Sequence, residues 1–306
     1  MNALARHVED YLRLRRALGF KLEREERLLA QLVAYLRTAG AATLTSELAV
    51  AWARQPASAR PSHWAKRLGI ARRFAIYLQT IDPATDVPPP GVFPARRHRP
   101  APYLWSHRDI RKLLAGARSL RSPLRAATHE ALFGLLATSG MRIGEVVAVG
   151  RDDLDLDVGV INVREAKFDR SRLVPLHPTT TEALRHYATE RDRLCPRPRS
   201  STFFLSSTGT ALNRSGVGKT FRKITTEIGV RTATIHPRIH DLRHSFAVHT
   251  LIEWHRSNVD IDEHVGTLST YLGHVSPADT YWYLSASPEL MELAAERLHT
   301  RFGAAR

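Results

Sequence analysis

The chain has 306 residues and carries 45 Lys and Arg against 30 Asp and Glu, which gives a formal net charge of +15 and a pI near 10.6. This length predicts one large domain or two ordinary ones, and an apolar fraction of 43% excludes wholesale disorder. The single cysteine, Cys195, excludes an internal disulfide framework and a Cys-rich zinc module, and it fits a reducing, cytoplasmic setting.

Neither a targeting signal nor a membrane span is expected. Charged residues occur within the first few positions, which leaves no apolar signal-peptide core. No stretch approaches the ~20 apolar residues of a membrane helix. We therefore expect a soluble, basic, intracellular protein. Its charge favours a polyanionic partner, with nucleic acid as the first candidate and a membrane surface as the second.

Residues 1–100 are predicted to form four basic helices. They hold 17 Lys and Arg against 8 Asp and Glu, whereas residues 101–306 hold 28 against 22, so the net charge is about three times denser in the first part. Gly40 is expected to end the second helix, the third starts after Thr45, and the fourth runs over about 63–79. The first two helices are predicted from apolar residues that recur at helical spacing: Val8, Leu12, Leu14, Leu18, Leu28, Leu29, Leu32, Val33 and Leu36. The basic faces indicate either a DNA-facing bundle or solvated helix surface.

The segment 82–102 holds seven prolines and predicts an extended linker between two domains, because each proline removes a backbone donor and fixes φ. Its basic cluster is Arg96, Arg97, His98 and Arg99. This cluster is equally consistent with a basic strap beside nucleic acid and with a solvated linker.

The second domain is predicted to be mostly helical with one small antiparallel sheet. Ser106 caps its first helix, and Ser139-Gly140 separates two further helices. The apolar runs 158–163 and 173–176 flank a polar turn and predict a β-hairpin. Further helices are expected at 178–193, 213–228, 241–255 and 262–272, with a last one starting at Ser287-Pro288-Glu289.

The histidines near residue 240 allow two interpretations. His240 and His244 are four residues apart on one helix face and could hold a metal, but the sequence HDLRH lacks the Glu of HExxH. Alternatively, His240 pairs with Arg243, whose planar guanidinium suits phosphate oxygens, as a phosphate-binding and proton-handling pair. No P-loop, GxGxxG or GxSxG motif is present, so nucleotide hydrolysis is not supported.

Three further residues could act on a phosphate. Arg142 stands at a helix start, where amide donors favour an anion, and Glu145 follows three residues later, where it can pair with Arg142 or orient it. Lys167 is one of six lysines against 39 arginines and lies at the hairpin turn, where it could serve as a general acid. Taken singly, Arg142 is better explained as a surface helix cap and Lys167 as an exposed turn residue. Two arginines in this context, Arg142 and Arg243, favour a phosphate clamp in a basic protein.

The aromatic cluster Tyr281, Trp282 and Tyr283 also allows two interpretations. Such residues ordinarily belong to a core or an interface. A tyrosine hydroxyl can also attack phosphorus when a base and charge stabilisation are available.

These motifs together resemble the tyrosine recombinase (phage integrase) family. The matching stretches are SGMRIGEV, EAKFDRSRLVPL, HDLRHSF and YLGHVSPADTYWYL. The order Arg, Lys, His-x-x-Arg, His, Tyr agrees with the family, Lys167 follows Arg142 by 25 residues, and Tyr283 follows His274 by nine. The resemblance extends over both domains, from about residue 1 to 300.

The resemblance implies a two-domain DNA clamp: a helical core-binding domain over 1–90, a proline-rich linker over 91–102 and a mixed α/β catalytic domain over 103–306. It implies a site-specific recombinase that cuts and rejoins double-stranded DNA through a 3′-phosphotyrosine, without metal, ATP or another cofactor. Its implied catalytic residues are Arg142, Lys167, His240, Arg243, His274 and Tyr283, with Glu145 supporting the cluster. Tyr283 is favoured over Tyr281 as the nucleophile by family spacing.

The resemblance further implies a tetramer on two DNA sites, with the segment 286–306 as a candidate inter-subunit element and no membrane partner. A bacterial cytoplasmic protein, associated with the nucleoid when bound to DNA, is expected. The segment between HDLRHSF and LGH, together with TYWYLSASPEL, is closer to integrases and transposases of mobile elements than to chromosome-dimer resolvases. The alternatives left open are a non-catalytic DNA-binding protein with the same fold and a metal-dependent nuclease.

Overall fold

The computed structural model of the chain describes residues 3–94, 101–164, 171–274, 280–281, 283 and 288–303. The chain divides into two compact units, residues 1–100 and 101–306. Both are mainly helical, and the second contains a small antiparallel sheet, which confirms the predicted fold class. No helix in the described ranges is long and apolar enough to cross a membrane.

The first unit contains four helices, α1 (Ala3–Ala17), α2 (Glu23–Thr38), α3 (Ser46–Arg54) and α4 (Pro61–Gln79). Thr45 caps α3 by accepting a hydrogen bond from the Leu48 amide at 3.3 Å, as predicted. Gly40 follows α2 with φ +67°, a left-handed conformation that glycine adopts without a Cβ clash.

The buried face of α1 differs from the predicted one. Leu4, Val8 and Leu12 are buried, but Leu14 and Leu18 are 52% and 61% exposed. Leu14 lies only two residues beyond Leu12 and therefore points about 200° away from it around a helix of 3.6 residues per turn. Tyr11 takes the expected inward place and packs edge-on against Phe74, with ring centroids 5.6 Å apart.

The first part of the proline-rich segment packs onto the first unit instead of extending away. Thr43 donates a hydrogen bond to Asp82 at 2.5 Å, and Phe93 is only 5% exposed. The Phe93 ring lies 5.7 Å from the Trp64 ring and 5.3 Å from the Arg54 guanidinium. Burial of the Phe93 side chain explains this packing. The favourable free energy of transferring an aromatic ring out of water outweighs the conformational entropy that a short proline-rich segment loses when it is ordered. The basic cluster at 96–99 lies outside the described residues.

The second unit contains α5 (His107–Arg118), α6 (Pro123–Ser139), the short α7 (Ile143–Val146), α8 (Pro178–Leu194), α9 (Arg214–Glu227), α10 (His240–Arg256), α11 (Ile261–Leu272) and α12 (Pro288–Gly303). Ser106 caps α5 by accepting from the Asp109 amide at 3.1 Å, as the sequence predicts. The core is built around α6, with Trp105 and Phe133 packed on Phe221 of α9.

The sheet has the order β1 (Leu154–Asp155), β2 (Val160–Arg164) and β3 (Ser171–Pro175), with both pairings antiparallel. Val163 pairs with Arg172 in the β2–β3 register, so the predicted hairpin is confirmed in its strands. Its turn, residues 165–170, lies outside the described residues. β1 was not predicted, because two residues are too short to show an alternating pattern.

The last helix, α12, packs against α10 of the same chain. Glu289 accepts a hydrogen bond from Arg256 at 2.7 Å, and Leu290 is 2% exposed in the cluster that also buries Tyr283. The start of α12 at Pro288 agrees with the predicted proline in the first turn.

Candidate active site

Arg142 is held at the point where α6 ends and α7 begins. Gly140 ends α6 with φ +60°, and a Cβ there would stand 2.5 Å from the Phe246 ring, so only glycine fits this turn. The Arg142 amide donates to Glu145 Oε2 at 2.9 Å, and Arg142 Nη1 donates to Glu145 Oε1 at 2.8 Å. Arg142 Nη2 donates to the Gly273 carbonyl at 2.5 Å. The guanidinium is therefore oriented from two sides, while 36% of the side chain stays exposed.

Glu145 binds a second arginine, Arg172 of β3. Arg172 Nη2 donates to Glu145 Oε2 at 2.9 Å, and its Nη1 lies 3.3 Å from Oε1. Burial opposes ionisation of Glu145, but hydrogen bonds and charge from Arg172 and Arg142 outweigh it and lower the Glu145 pKa. Glu145 is therefore a carboxylate at neutral pH, and it links α7 to β3.

Arg243 lies in the interior of α10 and is 2% exposed. Its Nη1 donates to the Gly140 carbonyl and its Nη2 donates to the Leu272 carbonyl, both at 2.8 Å. Burial and the neighbouring charge of Arg142 lower the Arg243 pKa, whereas a hydrogen bond to Tyr283 raises it. A guanidinium remains charged in proteins, so Arg243 is a cation that feels the charge of Arg142 and is hydrogen-bonded to the Tyr283 side chain. Such a group of charges suits an anion that both arginines can share.

His240 begins α10 beside these arginines. His240 is exposed at the surface, but desolvation by the atoms packed around its imidazole lowers its pKa most. The charges of Arg243, Arg238 and Arg142 lower the pKa further, against the opposing effect of Asp241. The imidazole is therefore neutral near pH 7 and can accept a proton. Its ring lies 4.5 Å from that of His244, one helical turn further along α10.

His274 follows the end of α11. Gly273 has φ +68° and turns the chain out of the helix, which places His274 beside Tyr283. The two rings are stacked with centroids 5.8 Å apart. His274 Nδ1 and the buried Thr280 hydroxyl share a hydrogen bond of 2.6 Å, which fixes the ring and leaves Nε2 as the second polar atom of the imidazole.

The structure distinguishes Tyr283 from Tyr281 and from a third tyrosine near the site, Tyr271. Tyr283 is 2% exposed, with the His244 ring at 5.4 Å and the His274 ring at 5.8 Å, and it is hydrogen-bonded to Arg243. Tyr281, by contrast, is 48% exposed. The Tyr271 hydroxyl donates to the Pro175 carbonyl at 3.2 Å, and burial raises its pKa to about 12. Of the three, Tyr283 is the one for which a side-chain hydrogen bond with an arginine is described.

Five of the predicted catalytic residues and Glu145 therefore converge in the second unit: Arg142, His240, Arg243, His274 and Tyr283. Lys167 lies outside the described residues. Among the described residues, no three His, Cys, Asp or Glu side chains are grouped so that they could hold a metal ion.

Sequence reasoning missed Arg172 and the place of His244 in the site. Arg172 stands two residues before Val174, which is fully buried, so the alternation of β3 points both side chains to the same face. That alternation could have revealed an inward-facing arginine. His244 was recognised only as a possible metal partner of His240, because nothing in the sequence shows that its ring meets Tyr283.

The second unit matches the model of a known protein family. Residues 105–289 match the model of the phage integrase family, which is more than half of the chain. A mainly helical fold with a three-stranded sheet and a buried tyrosine among arginines and histidines is the arrangement of a tyrosine recombinase. The chain belongs to the phage integrase family.

Similar proteins agree with this assignment over nearly the whole chain. The chain is 44% identical to the putative integrase/recombinase y4rB of Sinorhizobium fredii (strain NBRC 101917 / NGR234), covering 99% of both chains. Among solved structures, it is similar to the integrase of the Tn1549 transposon in complex with a circular intermediate DNA, with a TM-score of 0.64, 15% identity and coverage of 95% and 99%. It is also similar to a lambda integrase tetramer bound to a Holliday junction, with a TM-score of 0.59, 14% identity and coverage of 90% and 78%.

Proposed function

We propose that the chain is the integrase or transposase of a mobile element, and that it cleaves and rejoins double-stranded DNA with Tyr283 as the nucleophile. Residues 103–306 perform the chemistry, and the basic helices of residues 1–90 add DNA contacts. Membership of the phage integrase family supports the reaction class. The environment of Tyr283 supports the choice of nucleophile.

In the cleavage step, the Tyr283 oxygen attacks a backbone phosphorus and the bond from phosphorus to the 5′-oxygen breaks. The tyrosine proton passes to a base, for which the neutral imidazole of His240 is the candidate. Lys167 protonates the departing 5′-oxygen, which leaves a 3′-phosphotyrosine and a free 5′-hydroxyl. A 5′-hydroxyl from another strand reverses the same step, so the phosphoester bond is conserved and ATP is not consumed.

Arg142 and Arg243 stabilise the charge that develops on the non-bridging oxygens. Both guanidinium groups are oriented by backbone carbonyls and therefore need little reorganisation when the transition state forms. His274, held by Thr280 through Nδ1, supplies a further hydrogen bond to the phosphate from Nε2. Preorganised donors of this kind each contribute about 3–4 kcal/mol.

We assign the assembly by analogy with the lambda integrase tetramer on a Holliday junction: four subunits on two DNA sites in the cytoplasm. The net charge of +15 supports a DNA partner and a binding constant that falls steeply with salt. The segment 286–306, which includes α12, is the candidate contact between subunits. A chain truncated at Ala286 that still joins two DNA sites would contradict that role.

The observation that carries the proposal is that Tyr283 is packed against two histidine rings and bonded to a buried arginine, while Tyr281 is exposed. The test uses nicked duplexes taken from the DNA flanking the gene, in which cleavage releases a short fragment and traps the covalent complex. The wild-type chain and Tyr281→Phe should form a denaturation-resistant adduct, and Tyr283→Phe should bind the duplex without forming one.

An adduct from Tyr283→Phe at full yield would contradict the choice of nucleophile. DNA binding without any adduct from the wild-type chain would favour a non-catalytic binding protein. Cleavage that is abolished by EDTA would favour a metal-dependent nuclease.

A further inference from the structure

We propose that Arg172 is a positioning residue that holds the guanidinium of Arg142 in its phosphate-binding orientation through the shared carboxylate of Glu145. This inference rests on the proposed function of the same site. It adds a residue outside the catalytic set that the sequence predicts, and it assigns a task to a buried arginine of the sheet.

The geometry of Arg172 is that of an inward-facing anchor. Its side chain is 12% exposed, and both terminal nitrogens reach Glu145 oxygens, at 2.9 Å and 3.3 Å. Its Nε donates to the Tyr271 carbonyl at 3.1 Å, near the end of α11. A planar guanidinium makes these contacts from one rigid plane, so β3, α7 and α11 are fixed relative to one another.

Glu145 transmits this restraint to Arg142. Its Oε1 accepts from Arg142 Nη1, and its Oε2 accepts from the Arg142 amide. Each oxygen is therefore shared between the two arginines. Without Arg172, the Glu145 carboxylate would lose two of its hydrogen bonds, and Arg142 would be its remaining cationic partner. The Arg142 guanidinium would then rotate toward Glu145, and the carboxylate would neutralise more of the positive charge that the phosphate requires.

Gly273 shows that the fold reserves space for Arg172. A Cβ at Gly273 would stand 2.7 Å from Arg172 Nη1 and 2.8 Å from its Cζ. The carbonyl of the same glycine accepts the hydrogen bond from Arg142 Nη2 at 2.5 Å. The turn that precedes His274 thus packs against one arginine and orients the other.

The chain offers a matched control on the neighbouring strand. Arg164 of β2 also forms an ion pair with a carboxylate, Asp153, at 2.6 Å, but its side chain is 69% exposed and its described ion pair lies outside the catalytic cluster. Arg164→Ala removes the same charge from the same sheet. The experiment compares it with Arg172→Ala, Arg172→Lys, Arg142→Ala and the double variant Arg142→Ala/Arg172→Ala.

The rate of adduct formation is measured in a single turnover at saturating nicked duplex, with the dissociation constant for DNA and the melting temperature of each variant. Arg172→Ala should react about 10- to 100-fold more slowly than wild type, with a dissociation constant within about twofold of that of Arg164→Ala. The double variant should be no slower than Arg142→Ala, because both substitutions disable the same guanidinium. Arg172→Lys should fall between wild type and Arg172→Ala, since an ammonium reaches one carboxylate oxygen.

A second substrate separates positioning from a general structural defect. A methylphosphonate at the scissile position removes one anionic oxygen, so the reaction depends less on the charge of Arg142. The deficit of Arg172→Ala should shrink on this substrate together with that of Arg142→Ala, whereas a structural defect would slow both substrates equally. If Arg172→Ala does not fold, Arg172→Lys decides by the same two measurements.

Adduct rates for Arg172→Ala equal to those of Arg164→Ala, or losses that multiply in the double variant, would overturn the role of Arg172 while leaving the recombinase proposal intact. Failure of the wild-type chain to form an adduct would overturn the proposed function itself, and the catalytic role of Arg172 with it.

Discussion

Arg67 in the first unit and Arg243 in the second are both buried arginines, at 5% and 2% exposure, and burial lowers the pKa of both. Arg67 stacks on Trp52 at 4.0 Å and donates to the Trp52 carbonyl and to Gln31. Arg243 donates to two carbonyls and adjoins Arg142 and Tyr283. Burial of a cation therefore does not identify a site. What distinguishes Arg243 is that a second cation, Arg142, and the proposed nucleophile, Tyr283, lie next to it, with no carboxylate among the hydrogen bonds described for it.

The largest expected effect concerns Arg243, the arginine of this pair that we propose to act in the reaction. Arg243→Ala should lower the single-turnover rate of adduct formation by about 10³-fold, because one preorganised charge donor to the transition state is lost. Affinity for the duplex should change far less, since other basic residues hold the DNA backbone. Adduct formation within tenfold of wild type would show that Arg243 is a structural arginine like Arg67.

The next effect concerns the base. His240→Ala should slow adduct formation by about 10²-fold or more, and the wild-type rate should fall at low pH, as His240 becomes protonated. Because its folded pKa is lowered, this loss should begin below the ordinary histidine value of about 6.5. Rates for the wild type and His240→Ala are compared from pH 5 to 8 on the nicked duplex. An unchanged acid limb in His240→Ala would assign the titration to another group.

Arg67→Met tests the expectation that Arg67 stabilises the fold and takes no part in the reaction. It removes two hydrogen bonds and the cation–π contact with Trp52, and should lower the free energy of unfolding by about 1–3 kcal/mol. Chemical denaturation measures the loss, and adduct formation by the folded variant should stay within about twofold of wild type. A large loss of rate without loss of stability would place Arg67 in the reaction instead.

More of the proposed catalytic residues than of the residues that hold them in place could be predicted from the sequence. Arg142, His240, Arg243, His274 and Tyr283, which the structure brings together, could be named from the sequence because the family resemblance gives particular residue types in a fixed order along the chain. The alternation of β3 could indicate that Arg172 faces inward, but not that it meets Glu145, because that contact joins β3 to α7 and no local pattern encodes it. Likewise, Phe93 was assigned to a linker from local proline content, whereas its burial is decided by Trp64, which is distant in sequence.

In the hairpin and the helices, too, features set by local sequence were predicted, whereas features set by distant contacts were not. The strands β2 and β3 were predicted from local alternation, and the cap at Ser106 and the start of α3 after Thr45 were predicted from capping and spacing. The face of α1 was placed partly wrong at Leu14 and Leu18, because an apolar residue near a helix end satisfies a loose helical spacing whether or not a partner covers it.

The smallest expected effect extends the comparison from arginines to imidazoles. His129 of α6 is 4% exposed, its Nδ1 lies 2.8 Å from the Arg125 carbonyl, and burial lowers its pKa. His129 therefore shares the direction of its pKa shift with His240, although His240 is exposed at the surface and lies beside arginine charges. Since the folded pKa of His129 lies below the unfolded value of about 6.5, the unfolded chain binds more protons below that pH, and the contribution of His129 to stability falls as the pH falls through this window. Denaturation at pH 7.5 and 5.5 should show a smaller pH-dependent loss for His129→Gln than for wild type, while His186→Gln, on an exposed position of α8, should match wild type. The adduct rate of His129→Gln should keep the wild-type pH profile, because His129, like Arg67, supports the fold and not the reaction. A shifted profile would mean that titration in α6 reaches the site through Gly140.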